Sequence, residues 1–340
     1  MFCGAGGNSF GARTAGVEVV GGVDLWAAAT QSFQLNFPHA DVYCQDLRTL
    51  DPFKVKADVG EIDLLLSSPE CTHHTCARGN KPRSEESKET ALQVVRYASI
   101  MRPRWIVLEN VVHMRPWDRY PELKQELMDL GYQLREQVLD SSDFGVPQKR
   151  RRLFLMADLQ QVPGLVVASP SIERSTVSSI LDPEGTWPMT FLRKPKRAKG
   201  TLERAERAIE KLGENTPFLI VYYGSDGSGG WQPLDVPLRT ITTVDRFALV
   251  QPTPEGHKMR MLQPSELRRA MGFPDSYRFP KVTRREQVKL LGNAVCSPVM
   301  DAIVKTLCKD KLKPQNASRQ AVSHESHNDE QLLPAELCVV

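Results

Sequence analysis

Two short runs do most to fix what this chain can fold into. Residues 62–66 (Ile-Asp-Leu-Leu-Leu) and 105–108 (Trp-Ile-Val-Leu) are apolar without the alternation of a half-exposed strand. Both are short and bounded by breaker or polar residues, so they read as strands buried on both faces, the pattern of a parallel sheet. Ser67-Ser68-Pro69 ends the first run, and Glu109-Asn110-Val111 ends the second. Residues 89–101 carry apolar positions at helical spacing, with Pro103 just beyond, so a helix joins the two. Open α/β sheets hold ligands past the carboxyl ends of their strands. Pro69, Cys71 and Glu109 therefore fall at one cleft. For Cys71 the rival to a reactive thiol is a small apolar residue filling a loop. Cys71, His73, His74 and Cys76 crowd four ligand types into six residues, which departs from paired zinc spacings, and no metal site is expected.

The amino-terminal stretch offers a cofactor loop. Gly4, Gly6 and Gly7 permit tight turns and close backbone approach. A short helix over 10–16 and a strand over 17–23 follow, and the strand ends in Asp24. A carboxylate about 20 residues after a glycine loop suits ribose hydroxyls in a Rossmann-like site. Asp46 follows a second short strand over 40–44. Such a loop follows a central strand, yet only Met1 precedes Phe2. The expectation is that the first strand is missing, through a misplaced start or a truncated gene. Each orphaned buried backbone group in the neighbouring strands would then cost about 1–3 kcal/mol.

Further along, 121–130 reads as a helix and 132–138 as a strand. Gln148-Lys149-Arg150-Arg151-Arg152 then runs straight into the apolar residues 153–156. Alternation places Arg150 and Arg152 on one face and Arg151 on the other. Two guanidinium groups aimed at one spot fit an anionic or carbonyl-rich ligand, and a solvated basic turn is the alternative.

Phe2-Cys3-Gly4-Ala5-Gly6-Gly7, Ser68-Pro69-Glu70-Cys71, Glu109-Asn110-Val111, Gln148 to Arg152, and Leu291-Gly292-Asn293-Ala294-Val295 follow the motif order of the DNA cytosine-5 methyltransferases. Residues 260–274 resemble that family's late helical segment. The likeness covers 1–160 and 236–308. It implies a Rossmann-like α/β sheet dependent on S-adenosyl-L-methionine, with a smaller target-recognition domain. It also implies organisation as a catalytic domain over 1–160, a recognition region over 161–258 and a completing segment over 259–312, while the polar, aperiodic composition from Lys313 onward predicts a disordered tail over 313–340. By resemblance, Cys71 is the nucleophile that adds to cytosine C6, and Glu109 holds or protonates N3. Arg152 contacts the cytosine carbonyl, while Arg150 fixes the cysteine loop and the base. Phe2, Gly4, Gly6, Gly7, Asp24, Leu25, Asp46, Leu47, Pro69, Asn293 and Ala294 form the cofactor pocket. Thr75 touches a phosphate, and Thr242 supports Arg152. The target base is expected to be flipped from the duplex.

Two departures accompany the likeness. Glu70 and Thr72 flank the cysteine where the family has Pro-Cys-Gln, and an ionised carboxylate beside a thiol raises its pKa. Cys76 lacks the preceding proline turn. Residues 160–235 fit no family motif, and Arg193, Lys194, Lys196 and Arg197 form a basic run there, suited to phosphates in a DNA enzyme. The glycine-rich stretch 222–231, and a strand over 238–243, complete this region. A net charge of +3 neither requires nor excludes a polyanion, so local distribution decides. Seven cysteines, an odd number, favour a reducing cytosol over a disulfide framework. With no signal peptide pattern or membrane-length apolar run, the expectation is a cytoplasmic monomer acting on double-stranded DNA, possessing or lacking a cognate restriction endonuclease. The competing readings are a catalytically impaired DNA-binding remnant and a tRNA cytosine-5 methyltransferase, whose Cys-Phe-Thr signature the Cys71 loop lacks.

Overall fold

The computed structural model describes residues 1–69, 90–223, 227–312 and, by backbone alone, 338–339. Cys71 and Thr75, with the whole of the cysteine loop beyond Pro69, lie outside the described residues. In chain order the strands are β1 (Glu18–Val19), β2 (Gly21–Asp24), β3 (Asp41–Cys44), β4 (Leu64–Ser67), β5 (Trp105–Asn110), β6 (Gln133–Asp140), β7 (Arg151–Asp158), β8 (Thr190–Phe191), β9 (Phe218–Val221), β10 (Trp231–Pro233), β11 (Phe247–Gln251), β12 (Lys258–Met261) and β13 (Cys338–Val339).

The two apolar runs lie side by side as β4 and β5, parallel, with Leu64 opposite Trp105 and Ser67 opposite Leu108. They sit inside a six-stranded sheet of order β1-β13-β4-β5-β7-β6. Successive side chains enter different cores. Leu64, Leu66, Trp105 and Val107 join one, while Leu65, Ile106 and Leu108 join the other. The first core takes residues from helices Gly7–Thr14, Ala27–Asn36, Arg284–Asn293 and Ser297–Leu307. Helices Pro52–Val59, Gln93–Met101 and Tyr120–Asp129 supply the second. Burial on both faces is why these strands carry no polar alternation.

The expected single strand over 17–23 is divided. Glu18–Val19 pairs in the main sheet, and Gly21–Asp24 pairs with β3 in a separate parallel ladder. A Cβ at Gly22 would stand 2.7 Å from the Phe33 ring, so glycine lets the helix Ala27–Asn36 lie close against this ladder. The expected strand over 238–243 is also different. Among its residues only Leu238 makes a bridge, to Gln148, and Ile241 N donates to the Gln148 side chain instead of a ladder carbonyl. At the far end, where disorder was expected, Cys338–Val339 forms β13 in the main sheet.

A second sheet, of order β10-β9-β11-β12-β8, is antiparallel and carries helix Lys199–Leu212 on one face. Along β9, Phe218 and Ile220 pack beneath that helix, whereas Leu219 and Val221 enter the first core of the main sheet. Residues 284–307 are long and apolar enough to cross a membrane by composition. They form two helices, and 67% of the most apolar window is buried within the protein.

Candidate active site

The glycine loop leaves Met1 and enters helix Gly7–Thr14 through two left-handed residues, Gly4 (φ 53°) and Gly6 (φ 87°). Asp24, at the end of β2, organises it. Its carboxylate accepts from Gly4 N (2.8 Å) and from Trp26 N (2.9 Å). Burial pushes this carboxyl above its usual range, and those two backbone bonds pull it back. The loop is also held from behind. Tyr277 donates its hydroxyl to Ala5 O within an aromatic cluster with Phe10, Phe273 and Phe279, and a Cβ on Gly7 would run into Val295 O. Phe2 takes a positive φ of 52°, which a non-glycine residue adopts only when its surroundings impose it.

Of the other residues assigned to the pocket, Leu25 is 68% exposed and Leu47 is buried. Asp46 is held bidentately by its neighbour Arg48 (2.6 Å at the shorter contact), which keeps its carboxyl below the usual range. Asn293 is exposed at the end of its helix, and Ala294 is buried. Pro69 is buried, and its carbonyl accepts from the Asn110 side chain (3.2 Å), so β5 steadies the point where the cysteine loop departs.

Glu109 lies one residue before Asn110 and is 6% exposed. Arg152 Nε stands 3.1 Å from its Oε1. The antiparallel pairing of β5 and β7 brings both side chains to the same end of the sheet. Burial pushes the Glu109 carboxyl up, opposed by the charges of Arg152 and Arg150 and by a hydrogen bond with Ser68. Desolvation outweighs the ion pair here, so the group is poised toward the protonated form that can donate to a ring nitrogen. Ser68 in turn accepts from Asn8 Nδ2 (2.6 Å). A continuous polar chain, Asn8 to Ser68 to Glu109 to Arg152, thus links the glycine loop to the buried acid.

Arg150 and Arg152 both line one small void with Cys296, Leu139 and Phe154, as alternation required, and Arg151 is exposed. Among the described residues the two reach different partners, Arg152 the Glu109 carboxylate and Arg150 backbone carbonyls. Arg150, 4% exposed, donates to three backbone carbonyls, Ile241 O (3.0 Å), Gly292 O (2.9 Å) and Ala294 O (3.0 Å). Gln148, fully buried, donates to Ala270 O and accepts from Ile241 N. These two side chains stitch the carboxyl-terminal part of the chain onto β7. Thr242 donates to Val244 O and closes its own turn rather than bonding Arg152.

In the basic run, Arg193 is 64% exposed at its side chain, 4.0 Å from Glu206, and Lys194 and Lys196 are both exposed. Arg197 differs: it folds back onto Thr190 Oγ1 and the carbonyls of Phe191 and Leu192 and braces β8. A surface hollow of about 990 Å³ between helix Ala27–Asn36 and residues 275–281 contains none of the assigned site residues.

Sequence reading missed Asn8, Ser68, Asn110 and Tyr277 as positioning groups. The available signal for the first was a polar residue directly after Gly6-Gly7, in a helix whose other face is apolar. Tyr277 gave none, because its contact spans 272 residues.

A mixed sheet, parallel through β1, β13, β4 and β5 and antiparallel at β7 and β6, lies between two helical layers with a glycine loop and the Glu109–Arg152 pair at one end, and defines an α/β methyltransferase fold. The S. pombe Dnmt2 methyltransferase shares it, with a TM-score of 0.67 at 18% identity over 91% of this chain and 97% of that one. The chain belongs to the C-5 cytosine-specific DNA methylase family, whose profile matches residues 1–309. It is 32% identical over 164 residues to Type II methyltransferase M.DdeI of Desulfomicrobium norvegicum, a match covering 46% of this chain and 39% of that relative. A longer match, 29% over 306 residues, is to Type II methyltransferase M.HgiDI of Herpetosiphon aurantiacus and covers 87% and 88%.

Proposed function

We propose that this chain methylates C5 of a flipped-out cytosine in double-stranded DNA, with Cys71 as the covalent nucleophile. The observation that carries this reading is the buried Glu109–Arg152 pair at the mouth of β5 and β7, beside the Pro69 anchor from which the Cys71 loop starts. Cytosine C5 is a poor nucleophile. Addition of the Cys71 thiolate to C6 pushes electron density to C5, and Glu109 relieves the charge at N3 by donating a proton there. Arg152 pairs with the same acid and donates to the cytosine carbonyl as a second partner. Once C5 has taken the methyl group, whose donor leaves as a neutral thioether, a solvent base removes the C5 proton, the C6–sulfur bond pair returns to Cys71 as the thiolate, and N3 gives its proton back to Glu109.

The residues present fit S-adenosyl-L-methionine, which supplies the methyl group when bound. The space above Gly4 is open among the described residues, since a Cβ there would meet none of their atoms within 4 Å. Leu25 offers an exposed apolar face, Asp24 a carboxylate already aligned by two backbone donors, and Phe2 a partly exposed ring. Asp46 serves an adenine amino group only by sharing its carboxylate with Arg48. The antiparallel sheet of β8 to β12, with Arg193, Lys194 and Lys196 beside it, is assigned to target recognition.

The test is bisulfite sequencing of DNA from cells expressing the chain, wild type against Cys71→Ala. Site-specific C5 methylation that vanishes in the variant is the expected result. Methylation that survives Cys71→Ala but not Cys76→Ala would move the nucleophile, and labelled methyl transfer to tRNA alone would reassign the substrate.

A further inference from the structure

The turn that follows β3 is gripped from a neighbouring helix by one guanidinium. Arg96, on helix Gln93–Met101, donates through one terminal nitrogen to Leu47 O (3.0 Å) and Arg48 O (3.1 Å), and through the other to Leu50 O (3.3 Å). The next residue joins it, since the Tyr97 hydroxyl also donates to Leu50 O (3.1 Å). Within the turn, Asp46 O accepts from Thr49 N (3.0 Å) and Leu50 N (2.9 Å), while the later carbonyls find their donors on the helix. Asp46 is tied into this arrangement by its side chain as well. The peptide unit joining Leu47 to Arg48 is held at both edges: its carbonyl accepts from Arg96, and its N–H donates to Asp46 Oδ1 (2.9 Å).

We propose that Arg96 is a positioning residue for the adenine end of S-adenosyl-L-methionine, fixing through the Leu47–Arg48 peptide the Asp46 carboxylate that receives the adenine amino group. This rests on the cofactor reading given above. Two groups hold that carboxylate, and they differ in firmness. The Arg48 side chain is 39% exposed, and an ion pair in solvent is weak and readily displaced. The Arg48 N–H is a firm donor only when its peptide plane is fixed, and Arg96 fixes that plane from the carbonyl side. A guanidinium on the carbonyl also polarises the peptide, which strengthens the N–H as a donor. Arginine suits the task, because a flat fork of five donors spans several carbonyls where a lysine ammonium is a single point of charge. The clamp is itself well seated. Tyr97 is 1% exposed, and Val94, Ala98 and Met101 place the helix in the second core together with Leu47 and Leu50. Arg96 thus acts on the ligand through Asp46, without touching it.

Calorimetric binding of S-adenosyl-L-homocysteine to the full chain, and of its analogue lacking the purine 6-amino group, tests this. Wild type should prefer the amino-bearing ligand about tenfold, as expected for one hydrogen bond to a carboxylate. Arg96→Gln should weaken S-adenosyl-L-homocysteine about tenfold and the analogue less than about twofold, which erases the preference. A general loss of structure would weaken both ligands alike and leave the preference intact. Arg48→Ala removes only the exposed pair and should weaken neither ligand by more than about twofold. Without ligand, the amides of residues 47–50 should exchange with solvent faster in Arg96→Gln than in wild type. Should that variant not fold, Arg96→Lys keeps the charge without the fork and serves for the same comparison. A preference that survives in the Arg96 variant, or disappears in Arg48→Ala, would overturn the proposal while the cofactor reading stands. Folded wild type that binds neither ligand would overturn the cofactor reading and the proposal together.

Discussion

A single serine connects the two halves of the proposed site. Ser68 accepts from Asn8 and hydrogen-bonds to Glu109, so the acid's position depends on the helix that follows the glycine loop. Ser68→Ala removes that tether without opening the core. With a hydrogen bond to a charged or partly charged group worth about 1–2 kcal/mol, kcat should fall roughly 5- to 30-fold while cofactor affinity stays within about twofold. Asn8→Ala should show a similar loss, and the double variant should lose no more than the worse single one. Full additivity in steady-state kinetics would contradict a shared path. Glu109 itself yields a pH signature. Its carboxyl is pushed above the ordinary value of 4.5 by burial, so the folded state binds this proton more tightly than the unfolded state. Its contribution to stability is then fully present below pH 4.5 and is lost as pH rises through the raised folded value. The melting temperature of the wild type relative to Glu109→Gln should therefore decline as pH climbs above 4.5; a difference flat across that range would mean burial does not dominate.

At the scale of elements, the basic motif before β7 is chiefly a fastener. Arg150 spans Ile241, Gly292 and Ala294, and Gln148 spans Ala270 and Ile241, joining three separate stretches of the carboxyl-terminal half to one strand. Arg150→Gln leaves buried carbonyls without donors, and a loss of about 3–5 kcal/mol is expected in chemical denaturation. Arg151→Gln, on the exposed face, should cost less than about 0.5 kcal/mol. Alternation along the strand foretold which arginines point inward. It did not foretell that one inward arginine would also bind three backbone carbonyls, because those carbonyls come from residues more than 90 positions away.

For the molecule as a whole, the antiparallel sheet shares its core with the main sheet through Leu219 and Val221, so the basic run sits on a braced element. Lys194 and Lys196 should act as phosphate contacts, each contributing about 0.9 to the slope of log affinity against log salt. Lys194→Ala with Lys196→Ala should lower that slope by about 1.8 in fluorescence anisotropy with duplex DNA. Arg197→Ala is expected to weaken the β8 edge instead, seen as a lower melting temperature with little change in slope. The same distinction separates two neighbouring basic residues by partner, not by charge.

The apolar runs at 62–66 and 105–108 already dictated a parallel sheet covered on both faces, because no other local structure hides such runs completely. The motif order brought Glu109, Arg152 and the glycine loop to one edge, since strand ends and loops are read from local pattern. Tertiary structure alone decided what those groups touch. It assigned Arg150 to carbonyls, Asp46 to Arg48 and Ser68 to Glu109, through contacts whose partners no periodicity reveals. Periodicity sets which face a side chain takes, but its partner is set by which distant segment the closed fold lays against that face.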